Sequence, residues 1–284
     1  MTAPNGLIDG LFDDAAVFPP GEAPLPEAVI AHHLLRSTLP ELVGPLVLPA
    51  RSVPQLVELV AADERLAVSL VVPASDLHDT LRWAADEPRF RVAGVEVAGV
   101  DTASRAQQAA DTLSELLPDG ATAALELPRT AGRDLVLDVL AGSAVRAKLR
   151  TGGLVAGLFP GAAELAAAVA ACTHRGVAFK ATAGLHHAVR HDDPATGFAH
   201  HGFLNLLLAV ERLAAEPGDV DTAARLLSER RGPVLADRVR ALTPRQVDRA
   251  RSAFTSFGTC SVLDPVADLA DLGLLAPTTD RIPA

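Results

Sequence analysis

Short aliphatic runs bounded by proline or glycine recur eight times along this chain, and stretches of helical period separate them. The runs cover residues 16–19, 43–49, 66–73, 91–98, 122–128, 145–152, 177–184 and 255–261. Helical stretches include 26–37, 53–62, 104–117 and 162–175. Strand then helix, repeated eight times in 284 residues with no Ser/Gly-rich linker, predicts an α/β chain folded as one domain over 1–284, the (β/α)8 TIM barrel. The working side chains of such a barrel stand at the C-terminal ends of its strands. The main irregularity is 185–253, a helical, His-rich insertion that replaces the seventh βα loop and helix and is expected to cover the mouth.

Strand alternation assigns a direction to each charged residue in these runs. With Val95 and Val97 facing the helices, Glu96 faces the barrel interior; Leu125 and Leu127 do the same for Glu126. Val145, Ala147 and Leu149 leave Arg146, Lys148 and Arg150 inward, and Val177, Phe179 and Ala181 leave Lys180 and Thr182 inward. Barrel interiors are filled mostly by branched apolar side chains, so charges on four neighbouring strands point to a site. An ion-pair layer that only specifies structure is the competing account.

Lys148 and Lys180 are the only lysines in the chain, against 23 arginines. Arginine cannot give up its proton to become a neutral amine, whereas lysine can. Two ammonium groups on adjacent strands would stand roughly 5–8 Å apart. Repulsion and desolvation together lower a lysine pKa by about 3 units. The expected result is an amine that forms a Schiff base with a carbonyl compound, with Glu96 or Glu126 moving protons.

The phrases around these lysines are Ala147-Lys148-Leu149-Arg150-Thr151-Gly152-Gly153 and Phe179-Lys180-Ala181-Thr182-Ala183-Gly184, and Gly258-Thr259-Cys260-Ser261 follows the last strand run. Lys148 with Thr151 and Gly152 resembles the Lys-x-x-Thr-Gly of deoxyribose-phosphate aldolases. The resemblance implies that Lys148 is the Schiff-base residue and Lys180 the cation that tunes it. Gly258 to Ser261 is similar to the phosphate loop of the same family. Arg150 departs from it, standing where the family has a small hydroxyl residue, and His186-His187 and the insertion have no counterpart there. The whole chain also resembles a bacterial family that carries Lys-Leu-Arg-Thr-Gly-Gly, Phe-Lys-Ala-Thr-Ala-Gly-Leu-His-His and His-Gly-Phe-Leu-Asn phrases, a resemblance that implies no activity. Its last phrase runs from His201 to Asn205 here.

Five of the nine histidines, His186, His187, His191, His200 and His201, fall between residues 186 and 201, with Arg190 among them. Neutral imidazoles at a barrel mouth suit zinc or another divalent ion, which makes a metal-dependent hydrolase the alternative to a Schiff-base lyase or isomerase. The spacings His-x-His and His-Glu-x-x-His are missing, and no cofactor is assigned. Gly152, Gly153, Arg150, Arg190 and the Gly258 to Ser261 turn offer N–H groups and guanidinium to an anionic, possibly phosphorylated, small molecule. A barrel that binds such a molecule without turnover is the third reading. Substrate-binding candidates are therefore Arg150, Thr151, Gly152, Gly153, Thr182, His186, His187, Arg190, His191, His201, Asn205, Gly258 and Ser261. Asp13 and Asp14 read as turn or cap residues, and His32 and His33 as packing or surface residues of a helix.

A formal charge of −10 without a basic stripe argues against a nucleic-acid partner. No apolar run is read as reaching the roughly 18 residues of a membrane span, and the acidic N-terminus does not resemble a signal peptide. Cys172 and Cys260 are too few for a disulfide framework, which fits the cytoplasm. The expected partner is a small anionic substrate; self-association into a homo-oligomer is left open.

Overall fold

The computed structural model describes residues 2–61, 64–129 and 131–276. Eight parallel strands close into a barrel: β1 (Phe12–Asp14), β2 (Val43–Pro49), β3 (Leu66–Pro73), β4 (Phe90–Ala98), β5 (Thr122–Glu126), β6 (Arg146–Arg150), β7 (Phe179–Thr182) and, after the short strands β8 (His191–Asp192) and β9 (Ala199–His200), β10 (Phe254–Thr259). Closure is made by β1 against β10, with Asp13 opposite Gly258. The outer ring begins with α1 (Leu25–Thr38), α2 (Val53–Leu59), α3 (Leu77–Ala85), α4 (Ala103–Leu116), α5 (Arg133–Leu140) and α6 (Ala162–His174). The helix expected over 53–62 thus ends early, and residue 62 lies outside the described residues.

Two-residue alternation explains why these segments stand as barrel strands. Leu46, Leu48, Val68, Leu70, Val95, Val97, Ala147 and Leu149 are buried, as are the helix faces of Leu81, Leu113, Leu137 and Val169. Burying one such aliphatic side chain contributes about 1.5–3 kcal/mol. The stretch Ala156–His174 has the length and composition of a membrane span, contrary to the sequence reading. Its helical part is α6, which buries Leu165, Ala166, Val169, Ala170 and Cys172.

The first strand differs from the expectation. Residues 16–19 form turns, while the strand is Phe12–Asp14, three residues of which two are acidic. Phe12 meets the rings of Phe203 and Phe257, and Asp14 accepts from His32 of α1 at 2.9 Å. Packing on both neighbours overrides the poor strand propensity of aspartate.

The insertion is also differently built. Helix α7 (Phe203–Ala215) is itself the seventh helix of the ring: it buries eight consecutive positions from Phe203 to Val210, as a helix enclosed on all sides does. Three further helices, α8 (Val220–Ser228), α9 (Gly232–Arg240) and α10 (Pro244–Ala253), pack against it, and α8 also against α6. A final helix, α11 (Leu263–Asp271), follows β10.

At the C-terminal face the exits of β6 and β7 touch backbone to backbone. Gly184 has φ +78°, and a Cβ there would stand 2.9 Å from both Gly152 Cα and Thr151 O. Gly184→Ala is expected to cost roughly 2–5 kcal/mol, from left-handed backbone and overpacking together. Urea unfolding checks this; an unchanged midpoint would refute the close approach.

Candidate active site

Six charged side chains, alternating in sign, form a continuous chain across the barrel interior. Asp13 Oδ2 of β1 lies 2.7 Å from Lys180 Nζ of β7. Lys180 also pairs closely with Glu96 Oε1 of β4. The other oxygen of Glu96 lies 3.0 Å from Lys148 Nζ of β6, and Lys148 lies 3.1 Å from Glu126 Oε2 of β5. Glu126 Oε1 then meets Arg150 at 3.0 Å, and Arg150 returns to β6. Ser256 donates to Asp13 at 2.7 Å and Ser69 to Glu96 at 3.3 Å. The register aligns Lys148 with Lys180 and Glu126 with Lys148, so strand pairing alone brings the two ammonium groups side by side.

Exposure changes along this chain and indicates where solvent reaches it. The side chains of Asp13, Lys180, Glu96 and Lys148 are 5%, 7%, 4% and 3% exposed, whereas Glu126 and Arg150 are 19% and 32% exposed. Glu126 and Arg150 are the last residues of β5 and β6, and so the open end is the C-terminal mouth. Thr182 stands opposite Arg150 in the register, with Gly258 opposite Thr182.

The electrostatics correct the expectation for Lys180. Repulsion between them is offset by the carboxylate Glu96 placed between their ammonium groups. Burial alone would push the Lys180 ammonium toward neutrality, but Asp13 and Glu96 outweigh it and raise its pKa, so Lys180 is held charged. Burial likewise opposes ionisation of Glu96, yet Lys180 and Lys148 lower its pKa to about 2. Glu126 is lowered from its usual value because Lys148 and Arg150 outweigh desolvation. Asp13, read from the sequence as a turn or cap residue, is a buried member of this array. Its signal was the alternation of Phe12 and Asp14 around it, obscured by the shortness of the strand.

The histidines divide. His186 reaches the C-terminal end of β10, 3.2 Å from Thr259 Oγ1 and 3.6 Å from Cys260 Sγ. Rings of His187, His191, His200 and His186 follow one another at 4.6, 5.3 and 6.4 Å. Burial, with His200 nearby, lowers His186 to about 4, and burial raises the Cys260 thiol, so both are neutral at pH 7. His187 bonds to Asp268 of α11 at 3.1 Å, which raises its pKa. His201 leaves the group: it is fully buried, bonded to Pro160 O at 2.8 Å and to Arg190 at 3.0 Å. Among the described residues no histidine hydrogen-bonds to either lysine, and no three His, Cys, Asp or Glu side chains are grouped to hold a metal.

Several binding candidates prove to be fasteners. Thr151 is fully buried and its hydroxyl bonds to Ala183 O, tying the exit of β6 to that of β7. Asn205 is fully buried; it accepts from Arg190 N at 2.9 Å and donates to Leu226 O and Glu229 O at 2.8 and 2.7 Å, tying α7 to α8. Gly153 packs where a Cβ would stand 2.4 Å from Leu158. Ser261 Oγ accepts from Asp264 N at 3.4 Å, at the start of α11. Arg150, Thr182, Gly152, Gly258 and His186 remain at the C-terminal face.

No protein-family model and no curated protein matches the chain. A solved structure similar to it is a citrate lyase from Burkholderia xenovorans LB400, at 13% identity over 84% of each chain and a TM-score of 0.43.

Lys180→Met is expected to destabilise the protein at pH 7 by about 3–5 kcal/mol, because two buried carboxylates lose their common partner. The sign with pH follows from Glu96: a lowered carboxylate pKa contributes stability that is present above the ordinary value and lost as pH falls toward about 2. The gap between wild type and Lys180→Met should therefore shrink from pH 7 to pH 3. Urea titrations at the two pH values measure it, and a constant gap would contradict the pairing.

Proposed function

We propose that this protein is a lyase or isomerase acting on a small anionic carbonyl compound, with Lys148 as the amine that forms a Schiff base. One observation carries the reading: Lys148 Nζ lies within 3.1 Å of two carboxylates, Glu96 and Glu126, beside the fixed ammonium of Lys180. An amine, two proton acceptors and a cation thus share one wall of the barrel.

In the proposed step Lys148 gives one proton to Glu126, the more exposed of its partners, and the freed amine adds to the carbonyl carbon. The oxygen then takes one proton from nitrogen and one from Glu126 and leaves as water, so that a C=N bond replaces C=O and Glu126 is again a carboxylate. The iminium accepts the electron pair of a neighbouring C–H or C–C bond, and a carboxylate takes the proton released. Lys180 keeps Glu96 ionised throughout. The remaining N–H groups of Arg150 are free to hold the anionic group of the substrate.

The double pairing of Lys180 also favours a second reading, a barrel that binds a phosphorylated metabolite without turning it over. Borohydride trapping separates the two. With a panel of phosphorylated and carboxylated aldehydes and ketones, the adduct is expected on Lys148, seen by peptide mass spectrometry as an uncleaved Ala147 to Arg150 peptide. Lys148→Arg should keep the fold and lose both adduct and turnover, since the guanidinium stays protonated. Lys148 unmodified across the panel, with protection from unfolding by a phosphorylated compound, would replace the first reading by the second.

A further inference from the structure

The N-terminal ends of the strands enclose a cavity of about 280 Å³, on the opposite side of the charged chain from the mouth. Its lining includes Gly10 before β1, Ala93 and Gly94 of β4, and Thr122 and Arg146, the first residues of β5 and β6. Asp13, Glu96 and Lys180 form its inner end. Branched aliphatic side chains ordinarily fill this layer of a barrel. Here the inward positions carry Ser69, Gly94, Thr122, Ala124 and Ser256, which are too small to meet across it. A Cβ on Gly94 would stand 2.8 Å from Ser69 Oγ, so even one methyl group would disturb the hydroxyl that faces Glu96.

Among the described residues, one charge of the lining has no direct ion pair. Asp13 and Glu96 are both engaged by Lys180. Arg146, half-buried, makes one hydrogen bond among the described residues, to Thr255 Oγ1 at 3.1 Å, and no ion pair within 4 Å there, although the Asp13 charge lies near enough to favour its ionised form. A guanidinium partly withdrawn from water with most of its donors unpaired by protein groups is a ready partner for an anion. The hydroxyls have the opposite character. Ser69 spends its proton on Glu96 and Thr122 on Ala93 O at 3.4 Å, which leaves oxygen lone pairs toward the cavity. An anion at one end and a hydrogen-bond donor at the other complete the site.

We propose that this end of the barrel is a second binding site, for a small hydroxycarboxylate whose carboxylate meets Arg146 and whose hydroxyl donates to Ser69 or Thr122. The site stands on this geometry alone and is independent of Schiff-base chemistry at Lys148.

Titration of 15N-labelled protein with sodium glycolate, at constant ionic strength, tests it through the amide signals of Gly10, Gly94 and Thr122. Saturable shifts are expected there, with glycolate bound more tightly than acetate. Arg146→Met should weaken glycolate roughly tenfold or more, as expected when a charge-assisted hydrogen bond is lost. Ala124→Val, which narrows the cavity but keeps the guanidinium, should weaken it too. If Arg146→Met does not fold, Arg146→Lys is read the same way, since an ammonium keeps the charge but not the planar fork. Shifts that never saturate, shifts centred on Thr182 and Gly258, or unchanged affinity in the Arg146 variant would overturn the site. Acetate binding as tightly as glycolate, or inorganic phosphate binding more tightly, would overturn the hydroxycarboxylate assignment.

Discussion

Charges buried in a protein interior persist only where each meets its opposite, and this barrel is organised around that requirement. Asp13, Lys180, Glu96, Lys148, Glu126 and Arg150 alternate in sign, so removal of any inner member strands a neighbour. The inner wall of β4 to β7 is therefore committed to polar residues, and the apolar driving force comes from the outward faces of the same strands and the helices on them. The glycine contact between the exits of β6 and β7 keeps the two lysine strands in step above this layer.

Much of this was readable because a strand has a period of two. Val95 and Val97 flank Glu96, and Ala147 and Leu149 flank Lys148, so the apolar partners of each charged residue reveal its direction. The same logic failed at β1, where three residues are too few for a pattern and the apolar run just after them forms turns. It also failed for α7. A helix enclosed on all sides has no polar face, and the sequence therefore does not say whether it belongs to the ring or to an insertion.

Residue type misled in another way. Thr151, Asn205 and His201 have the polar side chains expected of binding residues, yet each is fully buried and bonded to backbone carbonyls. Buried backbone groups at loop joints require such partners, and a sequence does not distinguish that demand from a ligand's. Sign and spacing made Lys148 and Lys180 visible, whereas the pairing of Lys180 with Asp13 depended on a residue 167 positions earlier in the chain.

That separation bears on how the chain reaches its native state. Lys180 needs Asp13 from the first strand and Glu96 from the middle of the chain, and Ser256 from the last strand completes the shell of Asp13. A barrel lacking either edge would leave a buried ammonium or carboxylate uncompensated. Compact forms that exclude water before an edge strand is in place are penalised electrostatically, and that penalty adds to the entropy of closing so long a loop. The charged chain thus acts as a proofreading device for closure: the interior becomes tolerable to its own charges only when the first and last strands have met.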